Sequence, residues 1–308
     1  MKKSLFLMGA ALVAFASCSE STVEEMGQYK AIKFSNPYTE NVTKAVDDVA
    51  TSDLASNAYY VFGYYGTPSV EVFNNIKVNN GTTPEVTAYW TENAYQFAAY
   101  ADGKTGVKLA NASFAPGTKT LTIPNYTVGT NDLVAAVVDA DIDGTGRTAA
   151  VDLAFGHLLS KVKFTLTNGE EATYKMNIKD LTIAEIPNAG NATVTAAATS
   201  WEASNSSKAA VVYTDLAGIV GQTSGATEEF YVIPQTLTSI AVSFTAEMLD
   251  ANGAVIKTKP YSGTVTNVTW KPGYAYNYTA TVSVDKNSIT FSATVAPWGN
   301  DGGGAITF

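Results

Sequence analysis

Short runs of strand-forming residues, separated by turn residues, make up nearly all of the sequence after Tyr29. The run YYVFGYY at residues 59–65 is apolar at consecutive positions, as expected of a strand that is buried on both faces. Elsewhere apolar and polar residues alternate, which indicates strands with one buried face. Clusters of Asn, Gly, Pro and Asp separate the runs and are typical of turns. The pattern predicts an all-β fold built from antiparallel β-sandwiches, not an α/β fold.

The N-terminus predicts an exported lipoprotein. A positively charged Met-Lys-Lys is followed by an apolar run at residues 5–15, which is too short to span a bilayer. Two small residues then supply a site for a signal peptidase, and Cys18 comes directly after them. This order is typical of bacterial lipoproteins, in which the cysteine is acylated and becomes the new N-terminus. The alternative is an ordinary secretory signal with an unmodified Cys18.

The charge and the single cysteine narrow the class of protein further. The net charge is −9 and Arg147 is the only arginine, which argues against binding to nucleic acid, since such proteins need a basic face. Cys18 has no second cysteine to pair with in the chain, so stability must come from core burial rather than from a disulfide. No other apolar stretch approaches transmembrane length.

The charged loop DADIDGTGR at residues 139–147 is the best candidate for a boundary between two domains, and the chain is long enough for two of ordinary size. We therefore expect a signal peptide over residues 1–17, a lipidated spacer and propeptide with the first strand over residues 18–44, an N-terminal β-sandwich over residues 45–147, and a C-terminal β-sandwich over residues 148–308 with a candidate donor strand at residues 288–308.

The same loop resembles part of a calcium site. Asp139, Asp141, Asp143 and Gly144 match its first liganding positions and its turn, but Ala150 stands where the bidentate glutamate would be. The interpretation that we favour is an acidic loop between domains, with weak calcium binding as the alternative. No cofactor is expected.

No group of residues predicts an enzyme. His157 is the only histidine and lies in an apolar run, where we expect a half-buried structural side chain. The chain has no G-x-S-x-G motif and no glycine-rich phosphate loop that opens a helix. Its 17 tyrosines and 4 tryptophans leave open a surface that stacks on sugars, although most of them lie in strand-like runs where core packing explains them.

Three motifs occur together in a recognisable order: FGHLLSKV at residues 155–162, IPQ at residues 233–235 and WKPGYAYNY at residues 270–278. In this order the chain resembles the Bacteroidales fimbrillins, the Mfa-like lipoproteins that include the type V pilus subunits. The resemblance spans roughly residues 29–298. It implies two transthyretin-like β-sandwich domains and export to the outer membrane as a lipoprotein precursor.

The resemblance also implies a mode of assembly. In pilus-forming members a trypsin-like protease cuts after a basic residue near the N-terminus and removes the first strand, and a strand of another subunit fills the groove. On this basis we expect a cut between Lys44 and Ala45. The candidate donor strand is the alternating C-terminal run of Ile289, Phe291, Ala293 and Val295. The alternative is that the first and last strands close the chain's own sandwiches.

The expected cut departs from the family pattern in one respect. Pilus-forming members typically carry arginine at this position, whereas this chain has Lys44. Either the protease accepts lysine, or the subunit stays acylated as an anchor or accessory protein.

The sequence thus predicts a non-enzymatic fimbrial subunit that polymerises by donor-strand exchange and serves adhesion or biofilm formation. Its expected location is the outer-membrane surface, and the fimbrium after maturation. Its expected partners are other fimbrial subunits, the outer membrane through the lipid, a trypsin-like maturation protease and a host or bacterial surface receptor, but not nucleic acid. The alternatives are a permanently lipidated anchor or tip subunit and a surface glycan-binding β-sandwich lipoprotein.

Overall fold

The computed structural model describes residues 30–35, 37–39, 48–285 and 289–298. Most of these residues lie in strands, which confirms the predicted all-β class. The described helical elements are α1 (Thr51–Ser56) and a 3-10 turn (Pro116–Thr118), and no described helix has the length and apolar character needed to span a membrane. In chain order the strands are β1 (Tyr38–Thr39), β2 (Tyr59–Tyr65), β3 (Val70–Asn79), β4 (Thr83–Pro84), β5 (Ala94–Asp102), β6 (Ser113–Ala115), β7 (Thr120–Thr127), β8 (Leu133–Val137), β9 (Ile142–Asp143), β10 (Ala154–His157), β11 (Ser160–Asn168), β12 (Lys175–Pro187), β13 (Ala189–Val194), β14 (Thr199–Ala203), β15 (Lys208–Val212), β16 (Leu216–Val220), β17 (Ser224–Ala226), β18 (Phe230–Val232), β19 (Thr236–Leu249), β20 (Val255–Thr269), β21 (Tyr274–Val282) and β22 (Ser292–Pro297).

The largest sheet has eight strands in the order β1-β10-β8-β5-β2-β3-β4, with β9 paired to β5. Both of its faces are buried in the region of β2. Tyr59 and Val61 belong to the core on one face, and Tyr60 and Phe62 belong to the core on the other, because successive side chains of a strand point to opposite faces. The prediction that YYVFGYY is a strand buried on both faces is confirmed.

A four-stranded sheet in the order β14-β13-β7-β6 contributes to the second of these cores. Here β7 pairs with β13, and in the large sheet β8 pairs with β10. Strand β1 also pairs with β10, so strand pairing crosses the expected boundary after residue 147 in three places. The division into two domains at the acidic loop stays a prediction.

The C-terminal part forms a β-sandwich. One sheet has the order β17-β11-β21-β22 with β18 paired to β11, and the other has the order β15-β12-β19-β20 with β16 paired to β12. Side chains from both sheets, among them Phe164, Met176, Phe244 and Tyr278, form the third core. Strands β11 and β21 are parallel, unlike the antiparallel pairing expected from the sequence, because the chain passes through the facing sheet before it returns beside β11.

Candidate assembly site

The N-terminal segment, which comprises residues 30–35 and 37–39, contributes two side chains to the core of the large sheet. Ile32 and Phe34 are each 1% exposed, as their alternation predicted. The ring of Phe34 lies 5.8 Å from that of Phe97, at 90°, and 6.1 Å from that of Phe73, which are favourable aromatic geometries. The N-terminal segment is therefore part of this core rather than an appendage to it.

Backbone hydrogen bonds fasten the N-terminal segment on two sides. On one side the Ile32 N–H donates to the Ala88 carbonyl at 2.8 Å. On the other side the Ser35 N–H donates to the Val151 carbonyl at 2.9 Å, and the Val151 N–H donates to the Lys33 carbonyl at 2.8 Å. The segment thus occupies the place of a strand between two other parts of the chain, as an inserted peptide does in strand addition.

The residues predicted for lipidation and processing, Cys18, Lys44 and Ala45, lie outside the described residues. A cut after Lys44 would place buried Ile32 and Phe34 on one product and Asp48, the next described residue, on the other.

The candidate donor strand lies in the chain's own C-terminal sandwich. Ala293 and Val295 belong to β22, which pairs antiparallel with β21. Ile289 and Phe291 precede β22 and pack against the same core, where the Phe291 ring lies 5.7 Å from that of Phe164. All four side chains face one core, so the alternation seen in the sequence serves the chain's own sandwich in this state.

Strand β22 is at an edge, and among the described strands only β21 pairs with it. A cleft of about 830 Å³ separates β22 from β20, the edge strand of the facing sheet. Unpaired strand edges can accept or release a strand without breaking a central ladder. Side chains that line the cleft include Val268, Tyr276, Tyr278, Ile289 and Phe291.

A buried polar cluster holds the end of β22. The Asp48 carboxylate accepts hydrogen bonds through Oδ2 from Lys161 Nζ and Trp298 Nε1, both at 2.8 Å, and through Oδ1 from the Tyr231 hydroxyl at 2.9 Å. We call Asp48, Lys161, Tyr231 and Trp298 the Asp48 cluster. Its ion pair is almost dry, since the side chains of Lys161 and Asp48 are 3% and 1% exposed.

The charges around the Asp48 cluster are balanced. Glu229 pairs with Lys161 at 2.9 Å and with Lys163 at 3.1 Å, so two carboxylates face two ammonium groups. Burial alone raises the pKa of Glu229, but the hydrogen bonds and charges of the two lysines outweigh burial and lower its pKa overall. Glu229 is therefore held in its charged form beside the cluster.

His157 packs against the same tryptophan. Its ring stacks on Trp298 with centroids 4.1 Å apart and planes at 7°, and Nδ1 lies 2.8 Å from Asp132 Oδ2. Within the described part of the chain, His157 Nε2 and Asp132 Oδ1 have no hydrogen-bond partner. The sequence predicted a half-buried structural histidine; the side chain is more deeply buried than that, and its stacking role is structural.

In the acidic loop, neighbouring side chains contact Asp141. Asp141 pairs with Lys119 at 2.8 Å and accepts a hydrogen bond from Gln96 at 2.9 Å. The described residues contain no group of three or more His, Cys, Asp or Glu side chains that could hold a metal ion, and this includes Asp139 and Asp143. Weak calcium binding by this loop stays a prediction.

The tryptophans offer little surface for stacking on sugars. Trp90, Trp270 and Trp298 are each at most 2% exposed, and the half-buried Trp201 donates its Nε1–H to the Leu158 carbonyl at 2.7 Å. Trp90, Trp270 and Trp298 lie outside the named strands and belong to the cores through tertiary packing. The glycan-binding alternative therefore loses these tryptophans as stacking surfaces, whereas Tyr89 is 43% exposed and keeps the alternative open.

Sequence reasoning missed the Asp48 cluster. Asp48 and Trp298 are 250 positions apart, and no spacing rule relates residues at that distance. The sequence feature that points to the cluster is Lys161, a charged residue inside the FGHLLSKV motif. A lysine that is buried needs an acidic partner.

Comparison with known proteins points to one family. The model of a family described as fimbrillin-like matches residues 38–298. A fimbrial protein from Bacteroides vulgatus has a similar structure, with 16% identity, a TM-score of 0.61, and coverage of 87% of this chain and 99% of that one. A candidate cell adhesion protein from Bacteroides uniformis also has a similar structure, with 18% identity, a TM-score of 0.52, and coverage of 88% of this chain and 99% of that one. At such identities the likeness is one of fold. No curated protein matches this chain.

Proposed function

This chain belongs to the fimbrillin-like family, and from that premise we propose that it is a non-enzymatic fimbrial subunit that polymerises by donor-strand exchange. The observation that carries the proposal is the insertion of the N-terminal segment, residues 30–35 and 37–39. Two buried apolar side chains and a few backbone hydrogen bonds hold it in a core that the rest of the chain builds. It has the character of a strand that another strand could replace.

Removal of the N-terminal segment would leave a groove that requires an occupant. Loss of Phe34 would expose apolar surface on Phe73 and Phe97. Full exposure of one large apolar side chain to water costs about 1.5–3 kcal/mol of free energy. It would also leave backbone groups such as the Ala88 carbonyl without their partner, and unpaired backbone groups in a buried place are costly. A strand from another subunit restores both kinds of contact.

The C-terminal strand has the features of a donor. Its apolar side chains at Phe291, Ala293 and Val295 recur at every second position, which is the spacing that a groove on one face of a sheet accepts. Strand β22 is at an edge and pairs with one described neighbour. Donation would require β22 to leave β21 and Trp298 to leave the Asp48 cluster.

We further propose the cellular context. Cys18 would be acylated and deliver the precursor to the outer membrane, a trypsin-like protease would cut between Lys44 and Ala45, and the released subunit would join other fimbrial subunits. The polymer would serve adhesion or biofilm formation by contact with a host or bacterial surface receptor. A permanently lipidated anchor or tip subunit is the second candidate, and the lysine in place of arginine at the cut favours it.

The test is polymerisation after a defined cut. A precursor that carries the recognition site of a site-specific protease in place of residues 41–46 is cleaved and run on mild SDS gels without boiling. We expect a ladder of polymers after cleavage and a monomer before it. A synthetic peptide of residues 289–298 should bind the cleaved form and shorten the ladder, while a scrambled peptide should not. A cleaved protein that stays monomeric and keeps its N-terminal fragment would contradict the proposal.

A further inference from the structure

We propose that the Asp48 cluster is a latch that keeps β22 in the chain's own sandwich and couples its release to the N-terminal cut. The inference rests on the proposed function for its purpose, because only a donated strand needs a controlled release. The latch itself is a property of the uncleaved monomer and can be measured there.

Trp298 is the point at which the latch holds the strand. It follows β22 directly and is 1% exposed, and its backbone N–H donates to the Gly273 carbonyl at 2.7 Å. The indole stacks with His157 and lies 5.7 Å from the Tyr231 ring, at 21°. Lys161 Nζ lies 4.4 Å from the ring centre, within the range of a cation–π contact. These contacts restrain the C-terminal end of β22 in addition to its edge pairing with β21.

Asp48 connects the C-terminal end of β22 to the region of the expected cut. One carboxylate oxygen accepts from both Trp298 and Lys161, so Asp48 fixes the indole and the ammonium group together. In the sequence Asp48 is the fourth residue after Lys44. The residue that holds the candidate donor strand therefore lies next to the expected cut.

Hydrolysis of the Lys44–Ala45 bond would weaken the latch in two ways. The bond takes up one water and yields a carboxylate on Lys44 and an ammonium group on Ala45. Asp48 would then be close to a free chain end, and chain ends lose order readily. The new ammonium group would be within about 10 Å of Asp48 along the chain, where it would compete with Lys161 and Trp298 for the carboxylate.

The chemistry of the cluster favours a switch over a simple stabilising contact. Burying Lys161 and Asp48 removes both charges from water, and well-packed apolar side chains would often be at least as stable in their place. Buried ion pairs are best explained where they specify one arrangement among several. Here the two arrangements are β22 in its own sandwich and β22 released.

The test is hydrogen–deuterium exchange of the full, uncleaved precursor, read by mass spectrometry in peptides that cover residues 292–298. Asp48→Asn keeps the shape of the side chain and removes its charge, and Trp298→Phe keeps a ring and removes the Nε1–H donor. We expect each variant to raise exchange in these peptides at least tenfold. Glu247→Gln, which alters the exposed Lys179 pair at 3.0 Å, is the matched control and should leave these peptides unchanged.

Cleavage of the parent protein, by the engineered site at residues 41–46, should raise exchange in the same peptides. Unchanged exchange of residues 292–298 in Trp298→Phe, or in a folded Asp48→Asn, would overturn the latch even if the parent polymerises. Faster exchange in the variants, together with a cleaved parent that never polymerises, would support the latch and count against donor-strand exchange. Because Trp298→Phe leaves the Asp48–Lys161 pair in place, it remains informative if Asp48→Asn fails to fold.

Discussion

At the scale of single residues, Lys161 is a buried charge that depends on two carboxylate partners. Its side chain is 3% exposed and meets two carboxylates, those of Asp48 and Glu229, at 2.8 and 2.9 Å. Transferring a charge from water into the protein interior costs free energy. Interactions with the partner charges offset this cost only while every partner is in place. The loss of the lysine would leave Asp48 buried with a negative charge and without its ammonium partner.

Lys161→Met should therefore destabilise the precursor strongly. Breaking a buried pair by removing one partner costs about 3–5 kcal/mol, and the midpoint of urea unfolding should fall accordingly. Lys179→Met is the matched control, because Lys179 also pairs with a glutamate at 3.0 Å but is 43% exposed, and exposed pairs contribute about 1 kcal/mol or less. Equal losses in the two variants would show that burial of Lys161 has no energetic consequence.

Glu229 gives the protein a specific sensitivity to acid. Its pKa in the folded protein lies below the ordinary value of 4.5, so its contribution to stability is present above about pH 4.5 and is lost as the pH falls through the folded value. Glu229→Gln should remove this contribution. The difference in unfolding midpoint between the parent and the variant should be largest near neutral pH and shrink below pH 4.5. The exposed Glu202, changed to Gln, should not reproduce this profile.

At the scale of elements, the alternation of apolar residues shows which face of a strand is buried but not which strand lies beside it. It predicted the buried face of the run from Ile289 to Val295, because side-chain direction is a local property with a period of two, while the continuous apolar run of β2 predicted burial on both faces. Alternation could not predict the parallel pairing of β11 with β21 or the antiparallel pairing of β7 with β13. Those pairings depend on contacts between residues far apart in sequence.

The candidate site likewise has a part that the local sequence predicts and a part that depends on long-range contacts. The buried pair Ile32 and Phe34 follows from local alternation, whereas Lys161 is buried although it alternates with the core residues Val162 and Phe164 on β11. It is covered because Asp48 and other distant residues pack over that face. Such burial is created by tertiary contacts, which a single sequence does not encode in any short motif.

The N-terminal segment should be held chiefly by its buried side chains. Phe34→Ala should cost about 3–5 kcal/mol of precursor stability, as large-to-small changes of a buried Phe do, and it should speed the loss of the fragment after cleavage. Lys33→Ala is the control within the same segment, because the Lys33 side chain is exposed and its backbone bonds are unaffected by the change. Fragment release is followed by size exclusion with intact mass; equal release from both variants would show that the backbone bonds alone retain the segment.

At the scale of the whole molecule, the first and last described segments both contribute side chains to cores. The N-terminal segment fills the core of the large sheet, and Trp298 lies in another core more than two hundred residues away along the chain. Asp48 joins the two regions, since it follows the segment in sequence and contacts Trp298 in space. One cut between these regions could thus open an acceptor and loosen a donor in the same molecule.

The state of the N-terminus on the native cell surface should therefore depend on assembly. We expect subunits in detached fimbriae to begin at Ala45 and to lack the lipid, and unassembled precursor in the membrane fraction to begin at acylated Cys18. Intact mass and N-terminal sequencing of both fractions distinguish these forms. Lys44→Ala should leave the acylated form alone in the membrane, whereas Lys44→Arg should be processed at least as well as the parent, because arginine is typical of the cut in pilus-forming members. Acylated Cys18 on every parent molecule, with fimbriae still present, would instead identify the chain as a permanent anchor, since a subunit that keeps its own first strand has no groove to offer.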